Sequence, residues 1–243
     1  MTTFVLVHGA WAGAHGWRHV RTLLTAAGHD VFTPSLTGIG ERVHLASPQV
    51  DLTTHVTDVV NQVVFEDLRE IVLVGYSYGG VVVTGAAEHI HDRVRELVFL
   101  DAFVPSDGDS AFDALGANGP TLIGLGDDWL VPPPARDYDD PVEGAWQRPR
   151  RVAHPVRCFT EAVRLTQPLE QRPFGLTYIK ATAEPRDTPG GAAFWDAADR
   201  AKASPEWRYA EIDTNHMVAS NRPAELAQLL VEIAGTSSSS SAR

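Results

Sequence analysis

Glu70-Ile71-Val72-Leu73-Val74-Gly75-Tyr76-Ser77-Tyr78-Gly79-Gly80-Val81-Val82-Val83-Thr84-Gly85-Ala86-Ala87 reads in order as strand, turn and helix. A β-branched apolar run comes first, then a glycine-rich turn, then small and apolar residues that suit a buried helix. Gly75, Ser77 and Gly79 give the G-x-S-x-G spacing. The glycines are required sterically, because a chain that reverses this sharply leaves no room for a Cβ on either side of the serine. Ser77 is thereby exposed at a helix N-terminus, where backbone N–H groups and the helix dipole favour a developing negative charge. A turn that merely links a strand to a helix is the alternative, and the strand before and helix after favour a nucleophile.

Working outward, Thr3-Phe4-Val5-Leu6-Val7 reads as a buried strand that delivers the chain to His8-Gly9-Ala10-Trp11-Ala12-Gly13 and a following helix marked by Val20, Leu23 and Leu24. This is a second strand-to-helix turn, of the kind that supplies an oxyanion-hole N–H beside such a serine. His8 and Trp11 are open to either a binding or a structural role, whereas His15 and Trp17 read as structural. A short strand follows at Asp30 to Thr33. A helix opens near Leu52, with Thr53 or Thr54 as the expected N-cap. Further apolar strands read at Leu97-Val98-Phe99-Leu100, Leu176 to Ala181 and Arg208 to Ile212, with a helix between the last two and a closing amphipathic helix from Pro223 to Ala234. Six strands alternating with helical patterns predict a mostly parallel α/β sheet with helices on both faces.

Residues 106–175 break the periodicity and carry Pro132-Pro133-Pro134, the acidic pairs Asp127-Asp128 and Asp139-Asp140, and scattered aromatics. A structureless connection of this length is improbable inside a compact domain, so a lid with short helices is expected. The organisation is thus a core of residues 1–105 and 176–234, an insertion at 106–175, and a Ser-rich tail at 235–243 expected to be disordered.

The 243-residue chain carries a formal net charge of −11 and is 44% hydrophobic. Net negative charge disfavours nucleic acid and anionic membranes, so a small-molecule substrate, neutral or cationic, is the expected partner. No apolar run reaches the roughly 18 residues of a membrane span, and no leader pattern precedes the first strand, so a cytoplasmic location is expected. The single cysteine, Cys158, excludes an internal disulfide and a Cys-based zinc site. It reads as a small core residue, and neither a metal nor a cofactor is expected. The oligomeric state is open, a homodimer among the options.

A serine nucleophile needs a histidine base and an orienting carboxylate, in the chain order Ser, acid, His. Of the ten histidines, His216 alone sits in the loop after the last strand. Together with Phe4-Val5-Leu6-Val7-His8-Gly9-Ala10-Trp11, Leu100-Asp101-Ala102-Phe103-Val104-Pro105 and Arg222-Pro223, these motifs resemble the α/β-hydrolase superfamily over about residues 3 to 234. Within it they are similar to the compact branch of bacterial pyrethroid-hydrolase-like esterases, plant methylesterases and hydroxynitrile lyases. The resemblance implies an oxyanion hole at the N–H groups of Ala10 and Tyr78. His8, Gly9 and Trp11 of the first loop, and the aromatic Trp129 of the insertion, are the candidate substrate contacts. The resemblance also implies an acid after the strand at 176–181, where relatives carry T-x-D. Here Thr182-Ala183-Glu184 puts Glu184 in that place, with Asp101 as rival and Asp187 as third choice.

Hydroxynitrile lyases of this branch carry a threonine after the first-loop histidine and a lysine after the last one; Gly9 and Met217 stand here. Dehalogenases and epoxide hydrolases use an aspartate nucleophile, which Ser77 replaces. Serine hydrolysis of a small carboxylic ester through an acyl-enzyme is therefore the expectation. A non-hydrolytic catalyst or a ligand-binding protein on the same fold is the alternative.

Overall fold

In a computed structural model, which describes residues 1–116, 129–188 and 190–236, the apolar runs assemble into one sheet. Its strands are β1 (Thr3–Val7), β2 (Asp30–Phe32), β3 (Ile71–Tyr76), β4 (Val94–Leu100), β7 (Gly175–Ala181) and β8 (Trp207–Ile212), with β5 (Leu130–Val131) and β6 (His154–Pro155) forming a separate ribbon. The helices are α1 (Arg18–Ala26), α2 (Leu52–Phe65), α3 (Gly79–Ile90), α4 (Ala111–Ala114), α5 (Pro141–Gln147), α6 (Arg157–Thr160), α7 (Gly191–Ala203), α8 (Val218–Asn221) and α9 (Pro223–Thr236). The large sheet runs β2-β1-β3-β4-β7-β8 and every pairing in it is parallel.

That order explains where a site must lie. The chain leaves β1 outward to β2 and then crosses back to place β3 on the other side of β1. Loops leaving the C-terminal ends of β1 and β3 therefore diverge, and such a reversal opens a crevice at the sheet edge. Residues 8–13 and the Ser77 turn are those two loops.

Side-chain alternation along the strands divides the core. Val5, Val7, Ile71, Leu73, Leu97 and Phe99 face a layer made by Val56, Val59 and Val63 of α2, Val82 and Val83 of α3, and Phe194 of α7. Phe4, Leu6, Val72, Val74, Val98 and Leu100 face Val20 and Leu24 of α1 and Leu226, Leu230 and Ile233 of α9. Both faces are covered, so the strands are continuously apolar rather than alternating.

Two local expectations change. Helix α2 is capped by Asp51, whose carboxylate accepts from the Thr54 N–H at 3.0 Å, rather than by Thr53 or Thr54; a carboxylate both caps and complements the helix dipole. Helix α9 continues through Gly235 to Thr236, whose hydroxyl donates to the Ile233 carbonyl at 3.0 Å. The rest of the expected tail, and Asp127-Asp128, lie outside the described residues. Within residues 106–175 the described part holds α4, α5, α6 and the antiparallel β5–β6 ribbon, which is too short to leave a periodic signal. Val131, Cys158, Phe159, Val163 and Leu169 anchor this stretch in the core. Among the described residues no helix is long and apolar enough to cross a membrane.

The elbow glycines can be tested directly. A Cβ on Gly80 would stand 2.2 Å from the Phe103 carbonyl oxygen, whereas one on Gly235 meets nothing within 4 Å. Gly80→Ala is expected to cost about 1–3 kcal/mol or more, and Gly235→Ala to leave urea midpoints within error; equal midpoints for the two variants would contradict the packing.

Candidate active site

β3 ends at Tyr76, and Ser77 takes a left-handed conformation with φ of 57°. A non-glycine residue holds this conformation only where its surroundings fix it. Here the Ser77 N–H donates to the Leu100 carbonyl at 3.2 Å, and its carbonyl accepts from the N–H groups of Gly80 at 3.0 Å and Phe103 at 3.3 Å. Glycine is obligatory on both sides: a Cβ on Gly75 would stand 2.5 Å from Val83 Cγ2, and one on Gly79 2.8 Å from the carbonyl oxygens of Val7 and His8.

The serine hydroxyl lies 3.0 Å from His216 Nε2, and His216 Nδ1 lies 2.6 Å from Asp101 Oδ2. The three side chains come from the ends of β3 and β4 and from the loop after β8. Asp101 is wholly buried and also left-handed, with φ of 41°. Its second oxygen, Oδ1, accepts from Lys180 Nζ at 2.6 Å and from the Ala181 N–H at 3.4 Å. Lys180 is itself wholly buried, donates to the Ala181 carbonyl at 2.6 Å and sits 4.5 Å above the Trp195 ring. The carboxylate thus bridges a fixed cation and the imidazole.

The placement of Glu184 differs from the sequence expectation. Its Oε2 accepts from the backbone N–H of His216 at 3.1 Å, and its Oε1 pairs with Arg136 at 3.3 Å. The imidazole nitrogen meets Asp101 instead, and Asp187 is exposed. The physical reason is register: β7 delivers Lys180 to Asp101, and Glu184, three residues past the strand, reaches the main chain of the 216 loop from below the ring. Tyr76 completes the grip by donating its hydroxyl to the His216 carbonyl at 2.7 Å. The ring itself lies between Phe194, stacked at 4.8 Å and 7°, and Tyr76 at 4.9 Å. Neither Lys180 nor Tyr76 was singled out by sequence reading. A lysine inside an otherwise apolar strand was the available signal for the first, since such a charge demands a buried partner.

Burial lowers the His216 pKa below its ordinary 6.5, the hydrogen bond to Asp101 opposes this, and the positive charge of Arg136 adds to the lowering. For Asp101, burial would raise the carboxyl, but the hydrogen bond from His216 and the charges of His216 and Lys180 outweigh it and hold it below the usual carboxylate range. Asp101 is therefore ionised and His216 neutral at neutral pH.

Ala10 of the first loop lines the cavity over Ser77, and Tyr78 follows Ser77 in its own turn; among the described residues neither N–H is engaged in a turn or cap hydrogen bond. The first loop is held by a layer of neutral histidines. His8 accepts from the Leu36 N–H at 3.1 Å and donates to the Gly9 carbonyl at 2.8 Å. His154 accepts from the N–H of Trp11, a left-handed residue with φ of 62°, at 3.3 Å. His55 donates to the Thr37 carbonyl at 2.8 Å and takes the Tyr78 hydroxyl at 3.0 Å.

The pocket over Ser77 is a narrow cavity of ≈ 50 Å³. His8, Gly9 and Trp11 line it, as expected, but Trp129 does not: its carbonyl accepts from the Val156 N–H at 2.8 Å, beside the ribbon. Arg136, Tyr138, Gln147 and Arg151 of the 106–175 stretch contribute instead. A separate buried group, His55, His154 and Cys158, has potential ligand atoms within 4.8 Å of one another. It is a poor metal site as it stands, because His55 Nε2 carries the proton given to Thr37 and burial pushes the Cys158 thiol up.

An open parallel sheet with a strained serine between β3 and α3, and a histidine after the last strand, defines an α/β-hydrolase architecture. The chain belongs to the Alpha/beta hydrolase family, which matches residues 4–229. It is 51% identical to a carbendazim hydrolyzing esterase of Nocardioides sp. over 110 residues, 45% of this chain and 46% of that protein. An alpha-hydroxynitrile lyase of Arabidopsis thaliana is 34% identical over 108 residues, 42% of this chain and 40% of the lyase. The chain thus spans less than half the length of either curated relative. Over nearly its whole length it superposes on an extracellular α/β-hydrolase from a Paenibacillus species, with a TM-score of 0.83, 25% identity, and coverage of 96% of this chain and 98% of the other.

The histidine layer predicts a stability profile. Burial lowers His8 and His55 from 6.5 to about 4 despite their hydrogen bonds to carbonyls. Between those values the unfolded chain binds more protons than the folded one, so stability is full above about pH 7 and falls as pH drops through 6.5 toward 4. Each histidine contributes up to about 3 kcal/mol. Thermal midpoints measured from pH 8 to 4 should show this loss, and His55→Gln should make it smaller, with the part due to His8 and His154 remaining.

Proposed function

We propose that the protein hydrolyses small carboxylic esters by way of a serine acyl-enzyme. The reading rests on the continuous hydrogen-bonded path from Ser77 Oγ through His216 to Asp101. Ser77 attacks the ester carbonyl while His216 Nε2 takes its proton. Asp101 holds the Nδ1–H tautomer and stabilises the imidazolium, and the N–H groups of Ala10 and Tyr78 bind the oxyanion. His216 then protonates the leaving alcohol, and a water activated by the same ring releases the acid. In this reading Asp101 takes the role that the sequence favoured for Glu184. Glu184 and Tyr76 fix the two backbone poles of His216. The esterase among the relatives supports the class of reaction.

Lyase chemistry is disfavoured at both diagnostic positions. A Cβ on Gly9 would stand 3.0 Å from Ser77 Cβ, and Met217 puts a thioether, 3.7 Å from the Tyr76 hydroxyl, where a lysine would be needed.

Ser77→Ala should keep the fold and lower kcat on p-nitrophenyl acetate by about 10⁶-fold, with loss of fluorophosphonate labelling. Labelling of Ser77 in the unmodified protein separates this reading from a non-covalent ligand-binding role. Asp101→Asn should cost about 10⁴ in kcat, whereas Glu184→Gln, which keeps an acceptor for the His216 N–H, should cost far less. A crippled Glu184→Gln beside a near-normal Asp101→Asn would reverse the assignment. Because His216 acts as a base and its pKa lies below 6.5, kcat/KM should rise with pH along a limb whose midpoint is under 6.5. A midpoint above 7 would mean that another group limits the rate.

A further inference from the structure

The pocket over Ser77 has a charge opposite to that of the chain. Among its described lining residues are two guanidinium groups, Arg136 and Arg151, two phenols, Tyr76 and Tyr138, and no aspartate or glutamate. The formal net charge of the whole is −11. Local field, not net charge, decides what a cleft attracts.

The two arginines are satisfied to different degrees. Arg136 pairs with Glu184, whose other oxygen is already committed to the His216 N–H. Arg151 donates to the Pro134 carbonyl and makes no ion pair among the described residues. One neutral acceptor leaves most of a guanidinium's five donors unused. A cation withdrawn from water without a counterion is costly, and burial lowers the Arg151 pKa while the neighbouring Arg136 charge lowers it further. The Tyr138 hydroxyl is buried with no hydrogen-bond partner among the described residues. Both arginines line the same pocket as Ser77 and His216, and the Arg136 charge also lowers the His216 pKa.

We infer that the substrate is an ester carrying a carboxylate a few bonds from the scissile carbonyl, such as a half-ester of a small dicarboxylic acid, received by Arg151, Arg136 and the Tyr138 hydroxyl. The inference rests on the ester-hydrolase reading and narrows it. A planar carboxylate matches the guanidinium fork, and its small size suits a cavity of ≈ 50 Å³. The neutral or cationic substrate expected from net charge is replaced by an anionic one.

The test compares kcat/KM for monomethyl glutarate, its neutral amide isostere methyl glutaramate, and cationic methyl 5-aminopentanoate at pH 7.5. The anionic ester should be preferred over the neutral one by on the order of 10²-fold, the scale of charge-assisted hydrogen bonds in a site poor in water. The cationic ester should be the poorest. The preference should shrink with added salt, collapse at least tenfold in Arg151→Met and return in part in Arg151→Lys. If Arg151 only clips the Pro134 loop, Arg151→Met will slow all three esters alike and leave the ratio unmoved, which overturns the inference. No preference in the unmodified enzyme, with Ser77 still labelled by a fluorophosphonate, also overturns it while hydrolysis stands. Loss of both labelling and turnover on every ester would instead remove the hydrolase reading itself.

Discussion

The buried carboxylate of Asp101, shared between Lys180 and His216, is the constraint around which the site is arranged. It has no access to solvent, so its charge must be balanced inside the protein. Lys180 supplies the balance at one oxygen and the imidazole meets the other. Lys180 in turn needs the Trp195 face and the Ala181 carbonyl. Five elements are thereby locked: the ends of β4 and β7, the start of α7, the loop after β8 and, through His216, the turn that bears Ser77. Breaking such a pair by removing one partner strands a charge in the core, at a cost of about 3–5 kcal/mol.

The Lys180 ion pair on Asp101 also has a chemical consequence. It stabilises the carboxylate in every state of the site, so part of the field that would favour a protonated His216 is already spent. Burial is the main cause that lowers the His216 pKa, and the Arg136 charge acts in the same direction. The carboxylate can still orient the ring, because Oδ2 is reserved for it. Orientation does not depend on that bond alone: the stacked Phe194 ring, the Tyr76 hydroxyl and the Glu184 carboxylate hold the residue from three further directions.

How far the sequence could be read follows from the range of the interactions involved. The sheet and its serine turn were legible because their signals are local: continuous apolar runs for strands covered on both faces, and glycines where a Cβ would strike Val83 or the carbonyls of Val7 and His8. The position of His216 followed from chain order. Which carboxylate faces its ring was not legible, since Asp101 and Glu184 both end strands and only the sheet register sends one to the ring and the other to the backbone. Likewise Trp129 looked like a pocket residue because it is aromatic and lies in the insertion, yet its neighbours Arg136 and Tyr138 turn inward instead. Net charge is of little help in the same way: it sums the whole surface and says nothing of a cleft.

The hydrogen bonds of the site join residues far apart along the chain: Ser77 and His216 are separated by 139 positions, Asp101 and His216 by 115. During synthesis, the strained serine turn can form against β4 long before its base emerges from the ribosome. Throughout that interval Asp101 lacks one of its two partners, and before β7 is made it lacks both. Until those partners are made, the Asp101 carboxylate has no counterion beside it. Docking of β7 and β8 satisfies that charge and brings Ser77, His216 and Asp101 together in the same event, so completion of the fold and formation of their hydrogen-bonded path coincide.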